Sequence, residues 1–381
     1  MSRRIAYCTP SLYIAGGVER VLTTKANYFA DVLGYEIYII LTDGKGKEPY
    51  YKLSPKIKVI NLDINFEELW HLSFMQKIPV YLKKQQRFKK ELTKTLINIK
   101  PDITVSLLRR EINFITSIKD GSKKVGEIHI NRDNYRNFKT KDNNLFKRFF
   151  SYLWDKQLVS KLKRLDAFVV LTSDDQTKWH ELNKVHVIPN PLPFYLKEPS
   201  LNKQKIAISV GRYSHEKGFD RLAEAWKIVS KSYQDWELHI YGSGDSYELQ
   251  KQIQALGIGN SVFTHGATAD ILEKYKESSI YLLTSRFEGF GMVLAEAMAC
   301  GIPCISFDCP HGPRNIIKNN EDGILVENGN ISKFAEQIIY LIENPEIRLQ
   351  MGKKAHHNIK RLDIENIAQQ WQDLFDELLS E

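Results

Sequence analysis

A chain of 381 residues is longer than one hydrophobic core usually serves and predicts two domains of ordinary size. Its 43% apolar and 26% charged content excludes fibrous and disordered classes, no apolar run reaches the roughly 20 residues that span a bilayer, and four cysteines without paired spacing exclude a disulfide framework or a zinc site. The net charge of +8 is uneven, because residues 1–195 hold 34 Lys/Arg against 20 Asp/Glu while residues 196–381 hold 20 against 26.

In chain order, the first half reads as strands alternating with helices. Arg4-Ile5-Ala6-Tyr7-Cys8 is a first strand, and the Gly16-Gly17 turn opens a helix near Val18. Pro10, the glycine pair and Glu19 interrupt this start too early for a signal peptide, so the expectation is a cytoplasmic protein whose membrane contact, if any, is peripheral. Further β-rich runs follow at Tyr35 to Leu41, Ile103 to Leu107, Lys124 to Ile128, Ala167 to Leu171 and Val185 to Ile188. Such βα alternation is the signature of a parallel sheet covered by helices. Between Leu62 and Lys100 aromatic and basic residues replace it, ending in a helix-like stretch from Tyr81 to Leu92.

Pro189, Pro191, Pro193 and Pro199 then precede the polar run Leu201-Asn202-Lys203-Gln204. They set the expected boundaries: a first domain over 1–192, a linker over 193–204 and a second domain over 205–363. Second-half strands are expected at Lys205 to Val210, Trp236 to Tyr241, Ser261 to Thr264, Ile280 to Leu283 and Pro303 to Phe307. The fold expectation is α/β, with both halves doubly wound. At the end, Ile367, Trp371, Leu374 and Leu378 recur at helical spacing, which makes an amphipathic helix whose apolar face must dock.

The stretch from Ser285 to Pro303 is the most informative. On one continuous helix, Glu288 and Glu296 would lie about 80° off a shared face and about 12 Å apart along the axis, so they are no acid/base pair. Gly289, Phe290 and Gly291 instead predict a tight turn that opens a helix near Met292, with Glu288 in the loop and Glu296 in the helix. The N–H groups of such a turn suit a diphosphate, and a carboxylate at either end suits hydroxyls, which is the shape of a nucleotide sugar. Upstream, Gly211-Arg212 ends a strand and Lys217 opens a helix, placing two cations at a strand's carboxyl end, where open α/β sheets bind ligands.

This Glu-x7-Glu motif, Glu288 to Glu296, resembles the hallmark of the retaining glycosyltransferase family four, of GT-B fold. Gly16-Gly17-Val18-Glu19-Arg20, Ile188-Pro189-Asn190-Pro191, Val210-Gly211-Arg212 with Glu216-Lys217-Gly218, Tyr241-Gly242-Ser243-Gly244 and Gly323-Ile324-Leu325-Val326 resemble further family segments in the family's order. The resemblance implies two Rossmann-like domains facing a cleft, with the C-terminal helix over 364–381 packed back on the first. It implies that Arg212 and Lys217 bind the donor diphosphate, Glu288 the transferred sugar and Glu296 the ribose hydroxyls. Gly16, Gly17, Gly289, Phe290, Gly291 and Leu294 complete the nucleotide-sugar site. His129, just after a strand, matches a family histidine near the sugar's reactive face, and His311 falls where the family lines the donor pocket. Retention on the front face, with the leaving phosphate oxygen taking the acceptor proton, needs no nucleophilic carboxylate. No metal or cofactor is expected, since the chain has no Asp-x-Asp and its own cations face the diphosphate. The family setting is transfer, commonly from a UDP-sugar, to a glycan or lipid-linked acceptor in bacterial envelope polysaccharide or glycolipid assembly.

Plain alternatives stand beside these readings. Glu288 and Glu296 suit solvated positions, Arg212 and Lys217 surface charges, His129 a structural hydrogen bond, and Gly16-Gly17 a simple turn. Tyr247 stands where the third glycine of a dinucleotide fingerprint would fall, which discounts NAD. The basic first half points to an anionic membrane, through Lys83, Lys84, Arg87, Lys89 and Lys90 beside Trp70, Phe74, Tyr81 and Phe88, or to nothing more than a solvated helix over 77–100. A nucleic-acid module is the rival class, but no recognised motif accompanies the charge, so nucleic acid is not an expected partner. A nucleotide-sugar epimerase or a phosphorylase of the same fold is the rival enzyme.

Overall fold

The computed structural model describes residues 2–133, 135, 145–200 and 204–380, with the side chains of all but Phe74 and 145–152. The part of the expected linker at 201–203 lies outside the described residues. The elements run β1 (Arg4–Thr9), α1 (Gly17–Asp31), β2 (Glu36–Leu41), β3 (Lys58–Asn61), α2 (Phe74–Ile99), β4 (Ile103–Ser106), β5 (Lys123–Glu127), α3 (Leu145–Leu162), β6 (Ala167–Val170), α4 (Ser173–Lys178) and β7 (Val185–Val187). There follow β8 (Ile206–Val210), α5 (Phe219–Ser230), β9 (Glu237–Tyr241), α6 (Tyr247–Leu256), β10 (Val262–His265), α7 (Ile271–Glu277), β11 (Ile280–Leu283), α8 (Met292–Ala299), β12 (Cys304–Asp308), α9 (Pro313–Ile316), β13 (Gly323–Glu327), α10 (Ile331–Glu343), α11 (Pro345–Ile359) and α12 (Ile364–Ser380). These form two compact units, Met1–Pro191 with Ile364–Glu381, and Leu192–Asp363.

The first unit is built on a parallel sheet of order β3-β2-β1-β4-β5-β6-β7, the second on a parallel sheet of order β10-β9-β8-β11-β12-β13. Each order reverses direction once, between β1 and β4 and between β8 and β11, so both sheets are doubly wound. Inner strands such as Ile5–Cys8 and Ile280–Leu283 are apolar without alternation because helices cover both faces. Two strands escape a reading that seeks such runs. β3 and β13 are edge strands paired on one side only, and neither carries a continuous buried apolar run.

The helix expected over Tyr81 to Leu92 is much longer. Ser73 and Gln76 form a reciprocal capping box that starts α2 ahead of Pro79, a proline tolerated near the start of a helix and disfavoured deeper in. Its Phe88, Leu92, Leu96 and Ile99 recur at helical spacing and pack into a core with Phe66 and Phe114. Ile367, Trp371, Leu374, Phe375 and Leu378 of α12 are buried in the first unit, where Phe375 meets Phe29 of α1 edge-on at 6.1 Å. The second core gathers Trp226, Phe307, Phe334 and Ile338 around the other sheet. Among the described residues no helix is long and apolar enough to cross a membrane.

Candidate functional site

In the second unit the loops after β8 and β11 meet at the switch point of the sheet. Lys217 follows β8 in a short helical turn, His215–Lys217, so it lies just ahead of α5 rather than opening it. Gly218 then turns the chain at φ +64, and a Cβ there would stand 2.1 Å from the Thr284 carbonyl oxygen, so only glycine lets the two loops touch. After β11, Ser285 and Glu288 occupy the opposite loop. Lys217 Nζ donates to Glu288 Oε1 at 2.7 Å, and Ser285 Oγ donates to the same oxygen at 2.6 Å. The pair is largely covered but not sealed, with side-chain exposures of 19% for Lys217 and 9% for Glu288.

Gly291, at φ +93, is the residue before α8, so the turn expected over Gly289 to Gly291 delivers a helix at Met292. Glu296 lies inside α8, buried, and accepts from Tyr275 Oη at 3.2 Å. Phe290 and Leu294 are buried in the packing of the turn and helix, so neither presents an open side-chain surface. Arg212 follows Gly211 at the end of β8, exposed and without an ion pair among the described residues. His311 is buried in the left-handed region at φ 78, uncommon for a side chain of that size, next to Pro310, whose carbonyl accepts from the Glu288 N–H at 3.4 Å. Burial pushes the Cys300 and Cys309 thiols up to about 12, and Cys304 well above the usual thiol range, which leaves them as packing residues.

In the first unit, Gly16 and Gly17 are the N-cap and first residue of α1, and no side chain caps that terminus. His129 follows β5, and its ring is buried beside Glu127 and Asn190. Burial lowers its pKa to about 4 against the opposing pull of Glu127, whose Oε1 lies 3.4 Å from Nε2. The imidazole is therefore neutral at physiological pH. Glu127 itself is held by Lys25, whose Nζ reaches both carboxylate oxygens at 2.6 Å and sits 3.9 Å from the ring centre of Trp371 in α12. Where β1 and β4 diverge, a cavity of about 450 Å3 opens at the carboxyl ends of the strands. Ile14, Glu67, Trp70, Arg109, Arg110 and Tyr135 are among its walls.

The model of the family described as "Glycosyl transferases group 1" matches residues 195–358. An uncharacterized glycosyltransferase of Haemophilus influenzae is 30% identical over 378 residues, 98% of this chain and 99% of that protein. The chain belongs to the group 1 glycosyltransferases. A second relative, from Campylobacter jejuni, is 26% identical over 96% of this chain and 96% of its own length. It is described as a GalNAc-alpha-(1->4)-GalNAc-alpha-(1->3)-diNAcBac-PP-undecaprenol alpha-1,4-N-acetyl-D-galactosaminyltransferase. TarM of S. aureus, a mutant in complex with fondaparinux, alpha-GlcNAc-glycerol and UDP, superposes with a TM-score of 0.78 at 18% identity, covering 99% of this chain and 100% of that one. The fold of this glycosyltransferase is GT-B.

Of the residues singled out in the sequence, the structure joins Lys217 directly to Glu288, sets Glu296 one helix further on, and keeps Gly16, Gly17 and His129 in the other unit. Several partners were not legible. Arg286 clamps Asp220 through two hydrogen bonds of 2.8 and 2.6 Å and donates to the His215 carbonyl, which ties the Lys217 turn to the Glu288 loop. Its position two residues before Glu288 was a signal. Tyr275, Lys25 and Glu127 come from distant segments and carried none.

Proposed function

We propose that this glycosyltransferase moves a sugar from a UDP-sugar to a glycan or lipid-linked acceptor, with retention of configuration and without a metal, in bacterial envelope polysaccharide or glycolipid assembly. The reading is carried by the Lys217–Glu288 pair, which keeps some exposure at the switch point of the second sheet. A sheet of this kind binds ligands there, and a cation beside a carboxylate offers one group to a phosphate and the other to a sugar hydroxyl. UDP in TarM and the undecaprenol pyrophosphate in the Campylobacter relative's description support the donor and acceptor classes. The cytoplasmic face of a membrane is then the place of action.

In the proposed reaction the bond from the anomeric carbon to the diphosphate oxygen breaks. The acceptor oxygen bonds to that carbon on the same face, and its proton passes to the leaving phosphate oxygen. Lys217 and Arg212 stabilise the charge growing on the diphosphate, where one such donor is worth about 3 kcal/mol. Glu288 accepts from hydroxyls of the sugar and Glu296 from those of the ribose. The N–H groups at the start of α8 face phosphate oxygens.

A thermal-shift screen against UDP, GDP and ADP tests the donor. At 100 times its dissociation constant, the bound nucleotide adds about 2.7 kcal/mol of stability. Stabilisation by UDP alone, lost in Glu296→Ala and unchanged by EDTA, is the expected result; stabilisation only with magnesium, or by GDP or ADP instead, overturns that part. Donor consumed without acceptor would favour an epimerase, and an inverted anomeric signal in the product would remove retention.

A further inference from the structure

Helix α2 turns one face to the core and leaves the other exposed. The exposed face changes character along its length. Over the first turns it is apolar: Met75 is 77% exposed and Leu82 56%, with Ile78 and Pro79 exposed beside them. Over the following turns it is cationic, with Lys83, Arg87, Lys90 and Lys94 exposed at spacings of three or four residues that bring them onto one strip. Among the described residues none of these four cations is held in an ion pair, although Arg87 is near enough to help lower the pKa of Asp63. Just ahead of α2, Trp70 is 68% exposed and also lines the 450 Å3 cavity of this unit.

The residues that composition alone suggested for this surface are partly used elsewhere. Phe88 is core, Tyr81 packs against the core, Lys84 is tied to Glu68 and to the Ile64 carbonyl, and the Phe74 side chain lies outside the described residues. The exposed set is a different one, and it is not what a solvated helix needs. Solvation explains the lysines but not three large apolar side chains in the first turns, while a dry protein contact explains the apolar residues but not a strip of unpaired cations.

We infer that this face of α2, with Trp70, docks on an anionic phospholipid surface, the apolar tip entering the headgroup region and the cationic strip lying along the lipid phosphates. Charge complementarity selects the occupant, since neutralising each of four free cations needs a dense negative plane. Continuity with the cavity through Trp70 brings a membrane-borne acceptor's polar end to the walls formed by Arg109, Arg110 and Glu67 while its lipid stays in the bilayer. The inference deepens the reading of a membrane-borne acceptor and rests on it, yet it concerns a surface that can be measured with neither donor nor acceptor present.

The test is sedimentation of the full chain with vesicles of phosphatidylethanolamine containing phosphatidylglycerol, and with vesicles of phosphatidylcholine. The wild type is expected to sediment with the first and not the second, and to be released by high salt. Each of Lys83→Glu, Arg87→Glu and Lys90→Glu is expected to lower the partition about five-fold or more, and the triple variant Met75→Ser/Ile78→Ser/Leu82→Ser to lower it at least ten-fold. All should melt with the wild type and keep its affinity for UDP. Equal binding to both vesicles, or variants that bind like the wild type, overturns the surface. A wild type that self-associates through this face, with association lost in the serine variant and no vesicle dependence, replaces the lipid by a second copy. Vesicle binding by a chain that uses only soluble acceptors would keep the surface and remove the acceptor reading instead.

Discussion

Each unit of this glycosyltransferase sets a lysine against a glutamate near the carboxyl ends of a parallel sheet, and the two pairs are treated in opposite ways. Lys25 and Glu127 are shut in at 1% and 3% exposure, under the faces of Trp371 and Tyr7. Lys217 and Glu288 keep 19% and 9% and hang on loops that glycines and an Arg286 clamp hold together. A pair with no access to solvent cannot exchange partners, so the first serves to fix β5 and the helices α1 and α12. A pair at an open switch point can release its lysine to a phosphate and its carboxylate to a hydroxyl, so the second is suited to a ligand.

Breaking the two pairs should therefore give different readouts. The largest expected effect is Lys25→Met, which leaves Glu127 charged and unpaired in the interior and should cost about 3–5 kcal/mol in chemical denaturation. Lys25→Met combined with Glu127→Leu should recover most of that loss. A cost under about 1 kcal/mol for the single change would mean that the pair is not sealed.

Lys217→Ala should act on turnover instead, cutting it roughly 100-fold while the unfolding midpoint barely moves. Near-normal donor consumption would take the second pair out of the chemistry. The third effect separates the units by pH. His129, with a pKa lowered by burial to about 4, binds a proton less readily folded than unfolded. Between its ordinary value near 6.5 and 4 the unfolded chain gains protons that the folded chain refuses, so stability falls as pH drops through that window. Stability is expected to fall by a few kcal/mol between pH 8 and pH 4.5, and His129→Phe should flatten that loss in acid unfolding curves. The smallest effect belongs to the clamp: Asp220→Asn should cost about 1 kcal/mol or less, because Asp220 is half-exposed, and should show chiefly as a several-fold rise in donor KM.

How much was readable differs by element for physical reasons. Buried parallel strands such as Ile280–Leu283 announce themselves as apolar runs, and the glycine turn before Met292 was legible because few residues other than glycine adopt φ +93. The edge strands β3 and β13 were not, since neither carries a continuous buried apolar run. The early start of α2 was hidden by Pro79, whose effect depends on its distance from a cap that only the folded chain reveals.

By itself, the sequence determined the doubly wound α/β character, the opposite charge of the two halves and the Glu288 to Glu296 turn-and-helix, because these depend on periodicity, composition and local backbone freedom. Only the tertiary structure decided that Lys217 meets Glu288, that Lys25 meets Glu127 beneath Trp371, and which side of α2 remains bare. Those contacts join residues as far apart as Lys25 and Trp371 in the chain, and no local rule of spacing determines which distant side chains the packing of a core will bring together.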